Sequence, residues 1–597
     1  MGSHQIMKKP KKLIVCCDGT WMDSDNGIIN EGTWLSPKWE LQTPSNVTRI
    51  GRVILVEDSQ VHPQIVYYQA GVGCGTSWVD HIIGGGIGAG LSENVREAYS
   101  FLANNYTDGD SIYLIGFSRG AFTARCIAGL IGGMGLLTKN GLSYFSRVFE
   151  DWQNAGQEGY DPSIKLDLHE FELDKVDTRK VDEYLDGYKR ELMELRMGLT
   201  RDVKIKAIGV WDTVGALGIP TTPWLQSLGV PAFLHPLHPY RFMDTSLGNH
   251  IEFAFQALAL DERRTAYSPA VWSRPENCET VVKQVWFPGV HSNVGGSYED
   301  TGLADITLAW MMDQLAQPAV GIEFDEKYLA KAWVQNRDFY VEQNAAAAAA
   351  AAHQRARTLP TYLAHHHSTT TNHVGINRRP TPHPTLNPQP TPPQQQPRRR
   401  HTTKHHNDNL DPTGPHWGLT RLYNSATSLT CLAGIAPRTP GLYAATNYST
   451  GKPDFSRPLR DTRESIHSSV RIRLASGSGR SYDGKGTYGA AALVKAGYVL
   501  EAPGVPFRDD EDLDNEGPAA LLDVEINGVP RGAAERCWRW VLYDGADRRA
   551  GVDVEEMRVR KVLREEPLGR FERALLACDK VMYARVLGAA RANDGLL

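Results

Sequence analysis

A serine framed by two glycines, Gly116-Phe117-Ser118-Arg119-Gly120, is the stretch of this sequence best suited to chemistry. It follows the apolar run Ile112 to Ile115 and precedes an apolar helical pattern through Phe122, Ile127 and Leu130. Strand, G-x-S-x-G and helix in that order form a nucleophile elbow. The turn is tight enough that side chains at Gly116 and Gly120 would meet neighbouring backbone. It holds Ser118 Oγ clear of the strand end, beside the positive end of a helix. A serine nucleophile needs a base to take its proton and a carboxylate to orient that base. In the chain order Ser, Asp, His, with each residue at the end of a strand, Asp212 and His291 meet the condition. Asp305 and Asp18 are further carboxylates able to reach such a site, and His235, His238 and His250 do not follow strands. The backbone N–H groups of Arg119 and Gly19 are expected to hold an oxyanion.

The elements that must position these residues alternate. Lys12 to Cys17 reads as a buried strand ending at Asp18-Gly19-Thr20, and Ser45-Asn46 caps a helix through Val47, Ile50 and Val53. Gln64 to Gln69 is a second strand, Ser92 to Leu102 a helix, and Val203 to Trp211 the strand that delivers Asp212. Asn249 to Leu260 reads as helical, Val281 to Phe287 as the strand before His291, and Asp305 to Leu315 as a core helix. Such alternation implies a parallel sheet covered on both faces. The Gly clusters at 71–75 and 84–90 spell neither a dinucleotide nor a P-loop fingerprint. Asp18-Gly19-Thr20 has Cys16 where a phosphatase would need its nucleophilic Asp, so a phospho-aspartate mechanism does not fit.

Residues 1–10 are expected to be flexible, residues 11–343 to form the catalytic domain, and residues 141–199 to be a helical insertion packed over the sheet. The segment 213–247, rich in Pro and large apolar residues, starts directly after Asp212 and is expected to form a lip that binds an acyl chain. Trp224, Phe233 and Leu237 are its candidate substrate contacts. After Asn344 come eight alanines and a Pro-, Gln-, Thr- and His-rich stretch, so 344–415 reads as a disordered linker and 416–597 as a smaller C-terminal region. Ten of the 19 histidines fall between His353 and His416, but without finger or helical spacing, and no metal site is expected. With 64 Lys and Arg against 69 Asp and Glu, and a net charge of -5, the chain has no basic field for nucleic acid. The eight cysteines form no C-x-x-C pair, the N-terminus shows no secretory h-region, and no run has membrane-span length. A reducing, cytoplasmic compartment is expected, with no cofactor. The sequence does not specify an oligomeric state.

Five ordered motifs, VCCDGTW, GFSRGAFTAR, GVWDTVGALG, LALDERR and GVHSNVGGSY, resemble the α/β-hydrolase family of type VI secretion phospholipase effectors and its uncharacterised fungal and bacterial relatives. The resemblance covers Lys11 to about Asp338 and, more loosely, Trp417 to about Ala502. It implies an α/β-hydrolase-like, doubly wound sheet, with Ser118 as nucleophile, Asp212 as acid and His291 as base. It also implies hydrolysis of carboxylic esters, with phospholipid acyl esters as substrate and peripheral contact with a membrane. Asn293 stands where the family usually has Asp. The competing expectations are a short-chain esterase, thioesterase or amidase without lipid preference, and a non-catalytic scaffold.

Overall fold

In a computed structural model of the chain, the described residues are 9–19, 28–30, 39–41, 43–71, 86–155, 160, 162–163, 178–194, 198–214, 247–358, 416–425, 434–447, 452–475, 487–501, 538–543 and 559–583. Two compact units divide it, Met1–Arg337 with Pro415–Leu597 as one and Asp338–Gly414 as the other.

Among the described residues of the first unit, ten strands form one sheet. In chain order they are β1 (Lys12–Cys17), β2 (Gln64–Gln69), β3 (Ser111–Phe117), β4 (Ile205–Trp211), β5 (Ile251–Ala259), β6 (Val281–Phe287), β7 (Glu464–His467), β8 (Tyr498–Glu501), β9 (Arg539–Tyr543) and β10 (Val559–Glu566). Their spatial order is β8-β9-β10-β7-β6-β5-β4-β3-β1-β2. Every pairing from β2 across to β10 is parallel. The pairs β10–β9 and β9–β8 are antiparallel. This is a mixed, mostly parallel sheet of the α/β class. From β1 the chain goes out to the edge strand β2 and returns on the other side of β1 to β3. That reversal opens a crevice at the carboxyl ends of β1 and β3, where α/β sheets bind ligands.

Buried parallel strands need apolar residues on both faces, and β1 divides accordingly. Ile14 and Cys16 join one core cluster with α1 (Asn46–Val53), while Leu13, Val15 and Cys17 join the other with α2 (Gly86–Asn105) and α3 (Arg119–Met134). Ser45 caps α1 by accepting the Thr48 N–H at 3.1 Å. Within the expected insertion, α4 (Phe145–Asn154) and α5 (Thr178–Glu194) bury Phe149, Trp152, Tyr184 and Tyr188 in the cluster that contains α3. Phe145 stacks on Tyr99 of α2 at 4.9 Å. The short α6 (His291–Gly295) and the buried α7 (Gly302–Leu315) follow β6. Helix α8 is Lys327–Thr358.

One expectation is corrected. Asn249 to Leu260 is not helical, because β5 occupies the centre of the sheet with Phe255, Ala257, Leu258 and Ala259 fully buried. Its Ala, Leu and Gln favour helix locally, and burial on both faces removes the alternation that marks a strand. At Asn344 the composition changes but the helix continues. Helix α8 runs through the alanines, the residue type that pays least to be helical. The C-terminal region, residues 416–597, supplies β7 to β10 and Trp417, Val470, Leu563 and Leu575 to the same core cluster as β1. Helix α9 (Ser468–Ala475) follows β7. Helix α10 (Arg570–Cys578) is anchored by Asp313 of α7, which accepts the N–H groups of Phe571 and Glu572 at 2.8 and 3.0 Å. The candidate lip lies outside the described residues except at 213, 214 and 247, so Trp224, Phe233 and Leu237 are outside them, as are residues 1–8 and 359–415.

A chain ended after residue 358 is therefore expected to lose its cooperative thermal transition and aggregate, because β6 becomes an open edge and half a core loses its cover. A soluble product with a sharp transition would show residues 416–597 to be dispensable to the sheet.

Candidate active site

The elbow is built as its glycines require. Ser118, directly after β3, has φ 58° and ψ -121°, a conformation an L-residue adopts only when its surroundings enforce it. Its N–H still pairs with Trp211 O at 3.1 Å, and Phe122 N–H returns to Ser118 O at 3.3 Å. A Cβ on Gly116 would stand 2.6 Å from Gly120 O, and one on Gly120 would fall onto the carbonyl oxygens of Cys17 and Asp18. Helix α3 starts at Arg119, so the positive end of its dipole lies beside Ser118.

Three strand ends bring the chemistry together. Ser118 follows β3, Asp212 follows β4 and His291 follows β6. His291 Nε2 lies 2.8 Å from Ser118 Oγ, and His291 Nδ1 lies 2.5 Å from Asp212 Oδ2. Asp212 also has positive φ, at 41°, and is completely buried. Burial would raise its carboxyl, but the Arg438 guanidinium and the hydrogen bond with His291 override this and hold it far below the usual carboxylate range. An ionised Asp212 can hold a proton on Nδ1, which would leave Nε2 able to accept the serine proton. The arrangement can generate a serine alkoxide equivalent and stabilise the imidazolium that results.

The LALDERR segment braces the histidine. Asp261 Oδ2 accepts Gly289 N–H at 2.7 Å, and Glu262 Oε2 accepts His291 N–H at 3.2 Å. Glu262 is gripped by Arg264 through Nε and one terminal nitrogen, at 2.9 and 2.8 Å. Burial would raise Glu262, yet Arg264 draws it down to about 2. Arg264 covers the Tyr267 ring, whose edge meets His291 at a centroid distance of 4.8 Å, and Phe117 packs on the imidazole at 4.7 Å.

The other carboxylates are engaged elsewhere. Asp305 forms a buried ion pair with Arg49. Asp18 Oδ2 accepts from Ser45, Thr48 and Tyr68 at 2.6, 2.8 and 2.7 Å, and burial pushes its carboxyl up. Asp18 Oδ1 takes the Gly19 N–H at 2.7 Å. Gly19 does adjoin Ser118, since a Cβ there would be 3.4 Å from Ser118 Cβ, but its N–H is given to Asp18. His250 precedes β5, and burial draws it down to about 4, a neutral packing group. Burial also pushes the Cys16, Cys17 and Cys126 thiols up, so none is a thiolate nucleophile. Asn293 accepts Val290 N–H at 3.1 Å and donates to Arg421 O at 3.2 Å, tying the loop of His291 to the C-terminal segment.

Sequence reasoning missed Arg438. Its guanidinium contacts both oxygens of Asp212, one terminal nitrogen on Oδ1 and the other on Oδ2 at 2.9 Å. The two residues are 226 positions apart and share no motif or period, so no local signal joins them. Among the described residues no His, Cys, Asp and Glu group could hold a metal ion, and no helix is long and apolar enough to cross a membrane.

The family model described as the catalytic domain of Tle1-like type VI secretion system phospholipase effectors matches residues 11–314. An uncharacterised protein of Saccharomyces cerevisiae, YEL023C, is 26% identical over 271 residues, covering 42% of this chain and 31% of the relative. A solved structure of the Tle1 effector bound to the VgrG spike is 18% identical, with a TM-score of 0.23 over 51% of this chain and 56% of the other. An uncharacterised protein from Pseudomonas aeruginosa is 17% identical, with a TM-score of 0.27 over 53% of this chain and 47% of the other. The chain thus spans about a third of the yeast relative and about half of each solved structure.

The packing of the elbow predicts that Gly116→Ala and Gly120→Ala each lower stability by about 3 kcal/mol in denaturant unfolding, because backbone cannot yield as a side chain does. A loss below about 1 kcal/mol at both positions would show that the turn is not closely packed.

Proposed function

The chain belongs to the family of Tle1-like type VI secretion phospholipase effector catalytic domains, and from that premise we propose that it is a serine hydrolase of carboxylic esters, with (phospho)lipid acyl esters as its substrate class. The observation that carries the reading is the hydrogen-bonded line from Ser118 Oγ through His291 to buried Asp212, on an elbow with positive φ. The reversal of strand order at β1 and β3 supports an α/β-hydrolase-like arrangement.

In the proposed mechanism, His291 Nε2 takes the Ser118 proton as Oγ attacks the acyl carbonyl. Asp212 stabilises the imidazolium, and the N-terminal turn of α3 at Arg119 offsets the charge on the carbonyl oxygen. His291 then protonates the leaving alkoxide, which departs as an alcohol and leaves an acyl-serine. Water, deprotonated by His291, cleaves that ester and restores Ser118. Gly19 could add a second oxyanion donor only by releasing its N–H from Asp18. No cofactor takes part in this scheme. The acyl chain would lie along the segment 213–247, with Trp224, Phe233 and Leu237 as contacts, and the substrate would be met at a membrane surface from the cytoplasm.

Ser118→Ala is expected to abolish labelling by a fluorophosphonate probe and to lower ester turnover by about 10⁶-fold. Persistent labelling would place the nucleophile elsewhere. Asp212→Asn should lower turnover by about 10⁴-fold by favouring the wrong tautomer of His291. Asp305→Asn should instead cost about 3 kcal/mol of stability with turnover per folded molecule retained, because it breaks a buried ion pair. The reverse pattern would reassign the acid. Across nitrophenyl esters from acetyl to palmitoyl, each added pair of methylenes should raise kcat/KM up to about tenfold. A peak at acetyl, unmoved by Phe233→Ala and Leu237→Ala, would leave a short-chain esterase.

A further inference from the structure

Arg438 reaches the site by a route independent of the three strand ends. Residues 434–436 lie against the LALDERR segment. Ala436 N–H donates to Arg263 O at 2.8 Å, Thr265 N–H donates to Gly434 O at 3.2 Å, and Ile435 bridges Arg264. Pro437 and Pro440 flank the arginine, restricting the backbone on either side of it. Gly441 N–H is fixed by Glu464 Oε2 at 2.8 Å, at the start of β7. Between these anchors the Arg438 side chain, only 5% exposed, also donates to Ala259 O at 2.8 Å and Tyr267 O at 2.7 Å. Its guanidinium carbon stands 5.9 Å from the centre of the Trp286 ring.

We propose that Arg438 is a positioning residue of the Ser118 site, fixing the Asp212 carboxylate by a two-point guanidinium clamp and offsetting part of its charge where it faces His291. The inference rests on the serine-hydrolase reading above. Without the clamp, Asp212 keeps one backbone donor, Ala259 N–H at 2.9 Å, and its plane is no longer set against Nδ1. A guanidinium fork presents two parallel donors in a fixed plane, which an ammonium cannot reproduce. The clamp also moderates the field at the histidine, since a fully uncompensated buried carboxylate would hold an imidazolium too tightly for it to return its proton. The candidate site is therefore completed from beyond the low-complexity stretch, by a residue outside the matched span 11–314.

The groups facing His291 are Asp212, with Arg438 behind it; Glu262, on its N–H; Tyr267, capped by Arg264; and Phe117 and Ser118 of the elbow. Asp261 holds Gly289 in the same loop, and Arg119 follows the serine. In the Arg438 single variants, Arg438 is the one member of this set that changes. Removing its positive charge favours the protonated, inactive site, so the acid limb of the kcat/KM profile should move to higher pH by about one unit.

The test compares full-length wild type with Arg438→Gln, Arg438→Lys, Asp212→Asn and the Asp212→Asn/Arg438→Gln double variant, using a nitrophenyl ester and the fluorophosphonate probe. Arg438→Gln should lower kcat about 10²-fold or more with KM within about twofold, and move the acid limb upward. Arg438→Lys should keep the acid limb in place while recovering only part of kcat. In the Asp212→Asn background, Arg438→Gln should add less than about threefold further loss, because the two act as a unit. If Arg438→Gln does not fold, the Lys variant and its pH profile decide. A wild-type kcat and profile in Arg438→Gln, or equal losses from Arg438→Gln in both backgrounds, would overturn the proposal. A Ser118→Ala variant that still labels and turns over would instead overturn the serine-hydrolase reading, whatever Arg438 does.

Discussion

A carboxylate with no water contact has to be neutralised by something nearby, and the buried charge of Asp212 is the constraint on which much of this structure depends. Its partner comes from 226 residues away, so the chain must return across its low-complexity stretch to a fixed place beside β5 and β6. The return leads on into β7, which pairs with β6 in the same sheet. The segments that flank Arg438 are pinned to Arg263 and Glu464.

The same rule recurs around the site. Glu262 is buried and closed off by Arg264, and Asp305 is buried and closed off by Arg49. Asp18 has no cation but collects three hydroxyl donors and one backbone N–H, and its raised carboxyl reflects the weaker compensation. These pairings separate the carboxylates by role. The one that meets His291 is ionised and held by a fork, while the one nearest the elbow from β1 shapes a loop. Two of the three residues in the hydrogen-bonded line also sit at positive φ, so backbone strain of roughly 1–3 kcal/mol each is held by the surrounding packing.

Asn293 joins two segments through one side chain. An amide both accepts and donates, and here it accepts Val290 N–H and donates to Arg421 O. A carboxylate could make only the first of these contacts. The loop that carries His291 is thus tied to the C-terminal segment by the amide, and to β5 by Asp261 and Glu262.

Local pattern determined a large share of this protein. The elbow, the buried strands β1, β2, β3, β4 and β6, the Ser45 cap and the residues that follow each strand end were legible, because each is set by neighbours a few positions away. That Asp212, rather than Asp18 or Asp305, would meet His291 was left open, since spacing along the chain does not say which strand ends converge. The central strand β5 read as a helix because a strand buried on both faces loses its alternation, and its neighbours in the sheet decided its state. The alanine run looked like a linker by composition, although alanine is the residue most willing to be helical. Arg438 was invisible for the most basic reason. An ion pair between residues 226 positions apart leaves no period, cap or turn to read, and only the folded sheet brings the two charges into one place.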